Sequence, residues 1–393
     1  MLRGLGSRAA FVTSWSLVFG YVSVVAFEAV ALPQTLLYLA PDMLAGKLWT
    51  VAGYDVYASW AAVGIIGAVA MTALNYVGIK PAAVFQGLAV LFLLAVGGLL
   101  LIGSATGGSA DNMQPLFTGG FAGIVAVLVA VPLLFVGFDV IPQSAEEINL
   151  PFRQIGKLIV VSVVLAAVFY MVVMLTVGSS LPMEALAGSE LPAADGMAEL
   201  WGSQLFGDIL VLGGIAGILT SWNGFLLGAS RLLYAMATSG MVPRWFAKVH
   251  PRFRTPSNAV LFIGGLSVLS PLFGRQMLVW LVDAGGISIV IAFFLVAATF
   301  LVLRRREPDM ERPFRVPSGN VVRTLAGAVL SLGPAVLFLP GMPAALIWPY
   351  EWVILGLWWL VGMVLVVRLP KIGPGRDAEE KLIAATRRRG EPS

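Results

Sequence analysis

Residues 131–145 combine features that are unusual in a long apolar segment. Pro132 and Pro142 stand ten residues apart and bracket Gly137 and Asp139. Pro142 cannot donate a hydrogen bond to the carbonyl group one turn earlier, and glycine lowers the cost of unwinding a helix. In a membrane, unwound backbone is tolerated only inside protein or around a cavity, where its free groups bind ligands. Proline and glycine alone fit a simple kink equally well, but the added acid favours a broken helix with a binding site.

Further polar residues lie within apolar stretches. One of them is Glu28, and a charge in hydrocarbon costs at least about 2.5–3.5 kcal/mol on insertion scales. We therefore treat Glu28 and Asp139 as proton-coupling candidates, with a protonated or hydrogen-bonded structural carboxyl group as the alternative for Glu28. Thr220 and Ser221 fit helix packing better than a solute pathway. Asp283 lies near the predicted outer surface, and the sequence assigns it no role.

The composition argues against catalysis. The chain has no cysteine and one histidine, so it carries no thiolate nucleophile and no cysteine or histidine metal cluster. No pair of carboxylates shares a helical face, which leaves no acid–base pair for an intramembrane enzyme. We predict that the protein is not an enzyme and binds no metal and no cofactor.

The chain is too apolar for a soluble fold. It is 59% hydrophobic and 12% charged, whereas about 25% of the residues in soluble domains are charged. A membrane-spanning helix needs about 20 apolar residues, and this criterion predicts ten spans in a single bundle over residues 1–368, followed by a basic cytoplasmic tail at 369–393. The spans are 11–39, 58–77, 82–103, 119–145, 157–178, 209–238, 258–273, 277–303, 321–340 and 349–368.

The basic residues predict the orientation of these spans. Loops on the cytoplasmic side retain lysine and arginine. With both termini in the cytoplasm, 23 of the 25 basic residues fall inside, and only Lys47 and Arg275 fall outside. The basic residues thus mark topology in the cell membrane, and we expect contact with lipid head groups but no nucleic-acid partner.

Several motifs, in order and spacing, resemble the amino acid–polyamine–organocation (APC) superfamily of permeases. The resemblance runs over almost the whole chain, although no single motif is strong. Residues 15–41 are similar to the third span of the family. The other matching motifs correspond to the sixth span with its loop, the eighth span with its loop, and the signature after the tenth span: 135–139 with 145–151, 221–225 with 229–231 and 240–243, and 303–308 with 312–317.

The resemblance implies an all-α membrane protein with part of a LeuT-like inverted-repeat (5+5) fold and a broken helix near 136–142. It also implies secondary-active transport of amino acids or related amines, proton-coupled or by exchange. Its partners would be a small-molecule substrate, membrane lipid and a coupling proton. The substrate-binding residues carried over from the family are Phe135, Val136, Gly137, Phe138, Asp139 and Phe225.

One departure from the family leaves an alternative open. The family fold has twelve spans, and this chain begins where the third would begin, so the glycine-rich first span that completes the substrate site is absent from it. The chain as written is therefore expected to transport poorly, and the alternative function is a transport-inactive membrane remnant of such a permease. The acceptor groups of Asp139 and Glu28 favour an amine-bearing substrate.

Overall fold

The computed structural model describes residues 1–117, 119–124, 127, 134–143, 150–312, 314, 327, 338, 341–342 and 345–390. Nearly all of the regular structure in them is helical. The helices are α1 (Leu2–Leu5), α2 (Ser7–Leu36), α3 (Ala58–Val77), α4 (Ile79–Gly107), α5 (Val140–Gln143), α6 (Phe152–Ser180), α7 (Met183–Gly188), α8 (Pro192–Trp201), α9 (Gln204–Thr238), α10 (Ser257–Leu269), α11 (Met277–Arg306), α12 (Tyr350–Arg368) and α13 (Ala378–Gly390).

Within the described part of the chain, seven helices are long and apolar enough to cross a membrane, namely α2, α3, α4, α6, α9, α11 and α12. The shorter α10 is also apolar and continues through a 3-10 turn to Phe273. The protein is therefore an all-α membrane protein. Most of the predicted spans 119–145 and 321–340 lies outside the described residues, and the count of ten spans stays a prediction.

Helix α2 lies at the centre of the bundle. In its most apolar stretch 83% of the residues are buried, whereas the corresponding stretch of α6 has none. The difference follows from position, because α2 packs against α3, α9, α10 and α11. The exposed apolar side chains of α6 present a surface suited to lipid rather than water.

Small residues and serines let neighbouring helices approach α2 closely. A methyl group at Gly64 of α3 would lie 2.3 Å from the carbonyl oxygen of Ala29, so only glycine fits there. Pro33, one turn after Ala29, has no N–H to donate to that oxygen. On another side, Ser267 and Ser270 donate hydrogen bonds of 2.9 Å and 2.6 Å to backbone carbonyl groups of α2. Such contacts replace the hydrophobic effect in lipid-embedded bundles.

The two ends of the bundle are tied by polar contacts. A two-stranded antiparallel hairpin, β1 (Lys47–Val51) and β2 (Tyr54–Tyr57), connects α2 to α3. At the opposite end, Arg3 forms an ion pair with Glu307, and this hydrogen bond lowers the pKa of the Glu307 carboxyl group. Ser7 donates to the carbonyl group of Pro370 at 2.7 Å. These contacts join the N-terminal segment, the end of α11 and the tail.

Candidate functional site

The predicted interruption is present in the described residues. Leu134 is helical, residues 135–139 form a turn, and helix resumes in α5. Gly137 has φ of +126°, a conformation that residues with a side chain rarely adopt. The carbonyl group of Leu134 accepts a 2.6 Å hydrogen bond from the Tyr170 hydroxyl group. In a continuous helix that carbonyl group would accept from the backbone four residues later, so Tyr170 replaces a lost helical bond.

Asp139 closes the turn and links it to α2. Its Oδ1 accepts the backbone N–H of Gly137 at 2.9 Å, and its Oδ2 accepts the hydroxyl group of Tyr21 at 2.7 Å. Asp139 is 8% exposed and Tyr21 is fully buried, so both bonds are shielded from water. Hydrogen bonds to a carboxylate are among the stronger ones in proteins. The acid therefore fixes the broken segment against the central helix.

A cavity of about 260 Å³ lies beside the turn. Its walls come from α2, the broken segment, α6, α9 and α11, and its polar side chains are those of Glu28, Tyr170, Ser23 and Ser221. Glu28 is 4% exposed, and the Ser221 hydroxyl group is its hydrogen-bonding neighbour. The buried hydroxyl group of Ser23 has no partner among the described residues. The cavity thus offers hydrogen-bonding groups in an otherwise apolar setting, as ligand sites do.

A second cavity of about 530 Å³ adjoins the first and includes Gly137 and Gln86 in its wall. The two cavities share lining residues from the turn, α6 and α9, which are Val136, Tyr170, Ser221 and Phe225. The rings of Phe225 and Tyr21 lie 5.5 Å apart, so Phe225 also contacts the residue that holds Asp139. Phe225 therefore stands at the junction of both cavities and the broken segment.

A buried amide network holds the helices behind these cavities. Asn75 of α3 donates to Oδ1 of Asn223 at 2.9 Å, and Asn223 donates to Oε1 of Gln86 in α4 at 2.9 Å. Hydrogen-bonded amides avoid the penalty of buried groups without a partner, and they fix the mutual positions of α3, α4 and α9. Gln86 thereby presents its remaining surface to the larger cavity.

The residues proposed from the sequence fall into two groups in the structure. Glu28, Val136, Gly137 and Phe225 line the cavities, and Asp139 lies directly behind the turn. The two phenylalanines that flank the turn pack instead against other aromatic rings. Phe135 lies 5.6 Å from Tyr170 and Phe138 lies 5.5 Å from Phe293.

Sequence reasoning missed Tyr21, Ser23 and Tyr170, and it favoured packing for Ser221. A signal for Tyr21 existed, because residues seven apart share a helix face and Tyr21 precedes Glu28 by seven. In α9 the same argument connects Ser221 with Phe225, four residues later. Nothing in the local sequence of Tyr170 indicates its bond to Leu134, since that contact depends on how α6 packs.

Replacement of Gly137 by alanine is expected to destabilise the turn by about 1–3 kcal/mol, because a side chain is strained at φ of +126°. Space is not the cause, since the added methyl group would lie 3.6 Å from Phe225. Gly224→Ala is the matched control, because Gly224 lines the same cavity from within a helix and has open space around it. Thermal unfolding of the two variants in detergent tests this, and equal melting temperatures would contradict it.

Comparison with known proteins indicates the family of the chain. A family model described as amino acid permease matches residues 1–366. The branched-chain amino acid permease of Bacillus subtilis is 29% identical over 331 residues, covering 82% of this chain and 70% of that protein. The methylthioribose transporter of the same organism is 27% identical over 372 residues, with 92% and 76% covered. The vacuolar cationic amino acid transporter 4 of Arabidopsis thaliana is 27% identical over 320 residues, with 78% and 52% covered.

Proposed function

The chain belongs to the amino acid permease family, and from this we propose that it carries out secondary-active transport of amino acids or related amines across the cell membrane. The observation that carries the proposal is a cavity formed at a broken helix. Leu134 and Val136 at the break line the cavity, while Glu28, Tyr170 and two serines supply its polar side chains. Broken helices that line a cavity near the membrane midplane are how many transporters bind their solutes.

The chemistry of the cavity supports a substrate with an amine group. Its polar lining consists of a carboxyl group and hydroxyl groups, and the described residues that line the two cavities include no lysine or arginine. An ammonium group donates hydrogen bonds and finds acceptors in Glu28, Ser23 and Ser221. The apolar side chains of Val136, Phe225 and their neighbours suit the carbon skeleton of such a substrate.

We further propose that transport is coupled to protons or proceeds by exchange. Glu28 and Asp139 are buried carboxyl groups, one in the cavity wall and one at the turn. Ionisable side chains buried within membrane proteins mark proton relays and solute pathways. Val136 and Gly137 contact the cavities while Asp139 holds the backbone of Gly137, so a change of charge at Asp139 reaches the cavity wall directly.

Uptake into proteoliposomes tests the proposed function. The purified protein is reconstituted with and without an inward proton gradient and offered labelled branched-chain amino acids, cationic amino acids, polyamines and methylthioribose. Saturable uptake of an amino acid or amine, competed by the unlabelled compound, is the expected result. Absence of uptake of every compound, from protein shown to be folded by its unfolding transition, would favour the transport-inactive alternative.

Both termini are proposed to lie in the cytoplasm, and cysteine labelling tests this orientation. Gly188 lies in the predicted outer loop, which joins the spans 157–178 and 209–238, and Gly373 lies in the tail. A side chain at either position meets open space. Because the chain has no cysteine, each variant carries a single thiol. In intact cells, a membrane-impermeant reagent is expected to label Gly188→Cys but not Gly373→Cys. Labelling of both from the same side would contradict the arrangement.

A further inference from the structure

A pair of carboxyl groups connects α11 and α12 outside the two cavities. Asp283 lies in the second turn of α11, and Glu351 is the second residue of α12. The two carboxyl groups are hydrogen-bonding neighbours. Their helices pack together, and the rings of Trp280 and Tyr350 stack beside the pair with centroids 4.4 Å apart.

Glu351 is completely buried, and one of its oxygens lacks a donor. Its exposed fraction is 0%, and its Oε2 accepts the backbone N–H of Ile347 at 2.6 Å. Its Oε1 is buried with no hydrogen-bond partner among the described residues. A buried oxygen without a hydrogen bond retains the full free-energy cost of its desolvation. The ionised carboxyl group of Asp283 has only acceptors to offer, so a hydrogen bond between the two groups requires a proton.

No described basic side chain offsets the charge of this pair. The ionisable groups that act on Asp283 and Glu351 are each other. On α2, which packs against both helices, Tyr21 bonds Asp139 and Glu28 faces Ser221. The other ionisable groups of the three helices are those at their far ends and Tyr350 beside the pair: Arg8, Arg304, Arg305, Arg306, Arg368 and Tyr350.

We propose that Asp283 and Glu351 form a proton-binding site in which one proton is shared between the two carboxyl groups. Two neighbouring ionised carboxylates repel each other strongly, and a shared proton removes the repulsion while satisfying Oε1 of Glu351. Two carboxyl groups are too few oxygen ligands for a calcium ion, which takes about six to eight. Leu281 and Val282, which precede Asp283, line the smaller cavity, so the site borders the cavity wall. The proposal does not depend on the transport function.

Infrared spectroscopy of the protein in lipid tests the sharing of one proton. At neutral pH the band of protonated carboxyl groups is expected to lose the intensity of one group in Asp283→Asn and the same intensity in Glu351→Gln. The double variant is expected to lose no more than either single variant, because all three remove the same proton. Unchanged intensity in both single variants overturns the proposal. A double variant that loses twice the intensity lost by either single variant also overturns the proposal, because each group then holds its own proton.

The pH dependence of unfolding is a second, independent readout. The folded protein holds one proton that the unfolded chain releases, so the free energy of unfolding falls as the pH rises toward the loss of that proton. The melting temperature of wild type is therefore expected to fall as the pH rises from about 4, where an unfolded carboxyl group releases its proton, to the higher pH at which the folded pair releases its own. Glu351→Gln is expected to show a smaller fall, because the buried Glu28 still contributes to it. Glu184→Gln, in the exposed outer loop, is the matched control and follows wild type. If sodium at constant pH stabilises wild type but not Glu351→Gln, the site binds a metal ion and not a proton.

Discussion

Asp139→Asn is expected to reduce both net uptake and substrate exchange by about tenfold or more. Asparagine keeps the shape of the side chain, and its oxygen still accepts the N–H of Gly137. The amide also finds a partner in Tyr21, whose hydroxyl group can accept as well as donate. What disappears is the charge, together with the strength that a charged acceptor adds to both bonds. A loss of about 1.4 kcal/mol in the transport barrier already corresponds to a factor of ten in rate.

Two controls separate charge from geometry in this experiment. Tyr21→Phe removes one of the two hydrogen bonds and leaves the carboxyl charge, so we expect an intermediate rate. The unfolding temperature of Asp139→Asn is measured in parallel and is expected to stay close to that of wild type. Uptake and exchange at the wild-type rate in Asp139→Asn would show that the charge of this side chain takes no part in transport.

The broken helix could be predicted from the sequence because its causes are local. Pro142 and Gly137 weaken the hydrogen-bond ladder whatever surrounds them, and Asp139 needs a polar partner wherever it is buried. The directions of the side chains around the turn could not be predicted. Once the helix stops at residue 135, the period of 3.6 residues no longer applies, and the φ angle of Gly137 decides where Phe135 and Phe138 point.

Contacts between distant helices explain the remaining differences. Tyr170 binds the carbonyl group of Leu134 from another helix, and Asp283 meets Glu351 of α12. The sequence predicts that Asp283 lies near the outer surface, and it indicates no role for Asp283, because no periodic pattern connects this residue with Glu351. Helix pairing in a membrane depends on small residues such as Gly64 and on packing detail, and it leaves a weak trace in the sequence.

Glu28→Gln is expected to separate proton-driven uptake from exchange. Glutamine fills the same volume and can still bond the Ser221 hydroxyl group, so the wall of the smaller cavity keeps its shape. It cannot bind and release a proton. If Glu28 carries the coupled proton, uptake driven by a pH gradient falls by about tenfold or more, a barrier change of about 1.4 kcal/mol. Exchange of labelled for unlabelled substrate at equal pH then falls much less, because the amide oxygen of glutamine still accepts a hydrogen bond from an ammonium group.

Asp139 and Glu28 are therefore distinguished by the mode of transport that each variant retains. Asp139 holds the backbone of the turn, so its replacement affects both modes, whereas Glu28 bonds Ser221 of α9, and its replacement affects driven uptake more than exchange. Glu184→Gln, which removes a carboxyl group from the exposed outer loop, serves as the control and retains both modes. Equal loss of driven uptake and exchange in Glu28→Gln would show that Glu28 acts through substrate binding and not through proton coupling, because an ammonium group then loses its charged acceptor in each transport cycle.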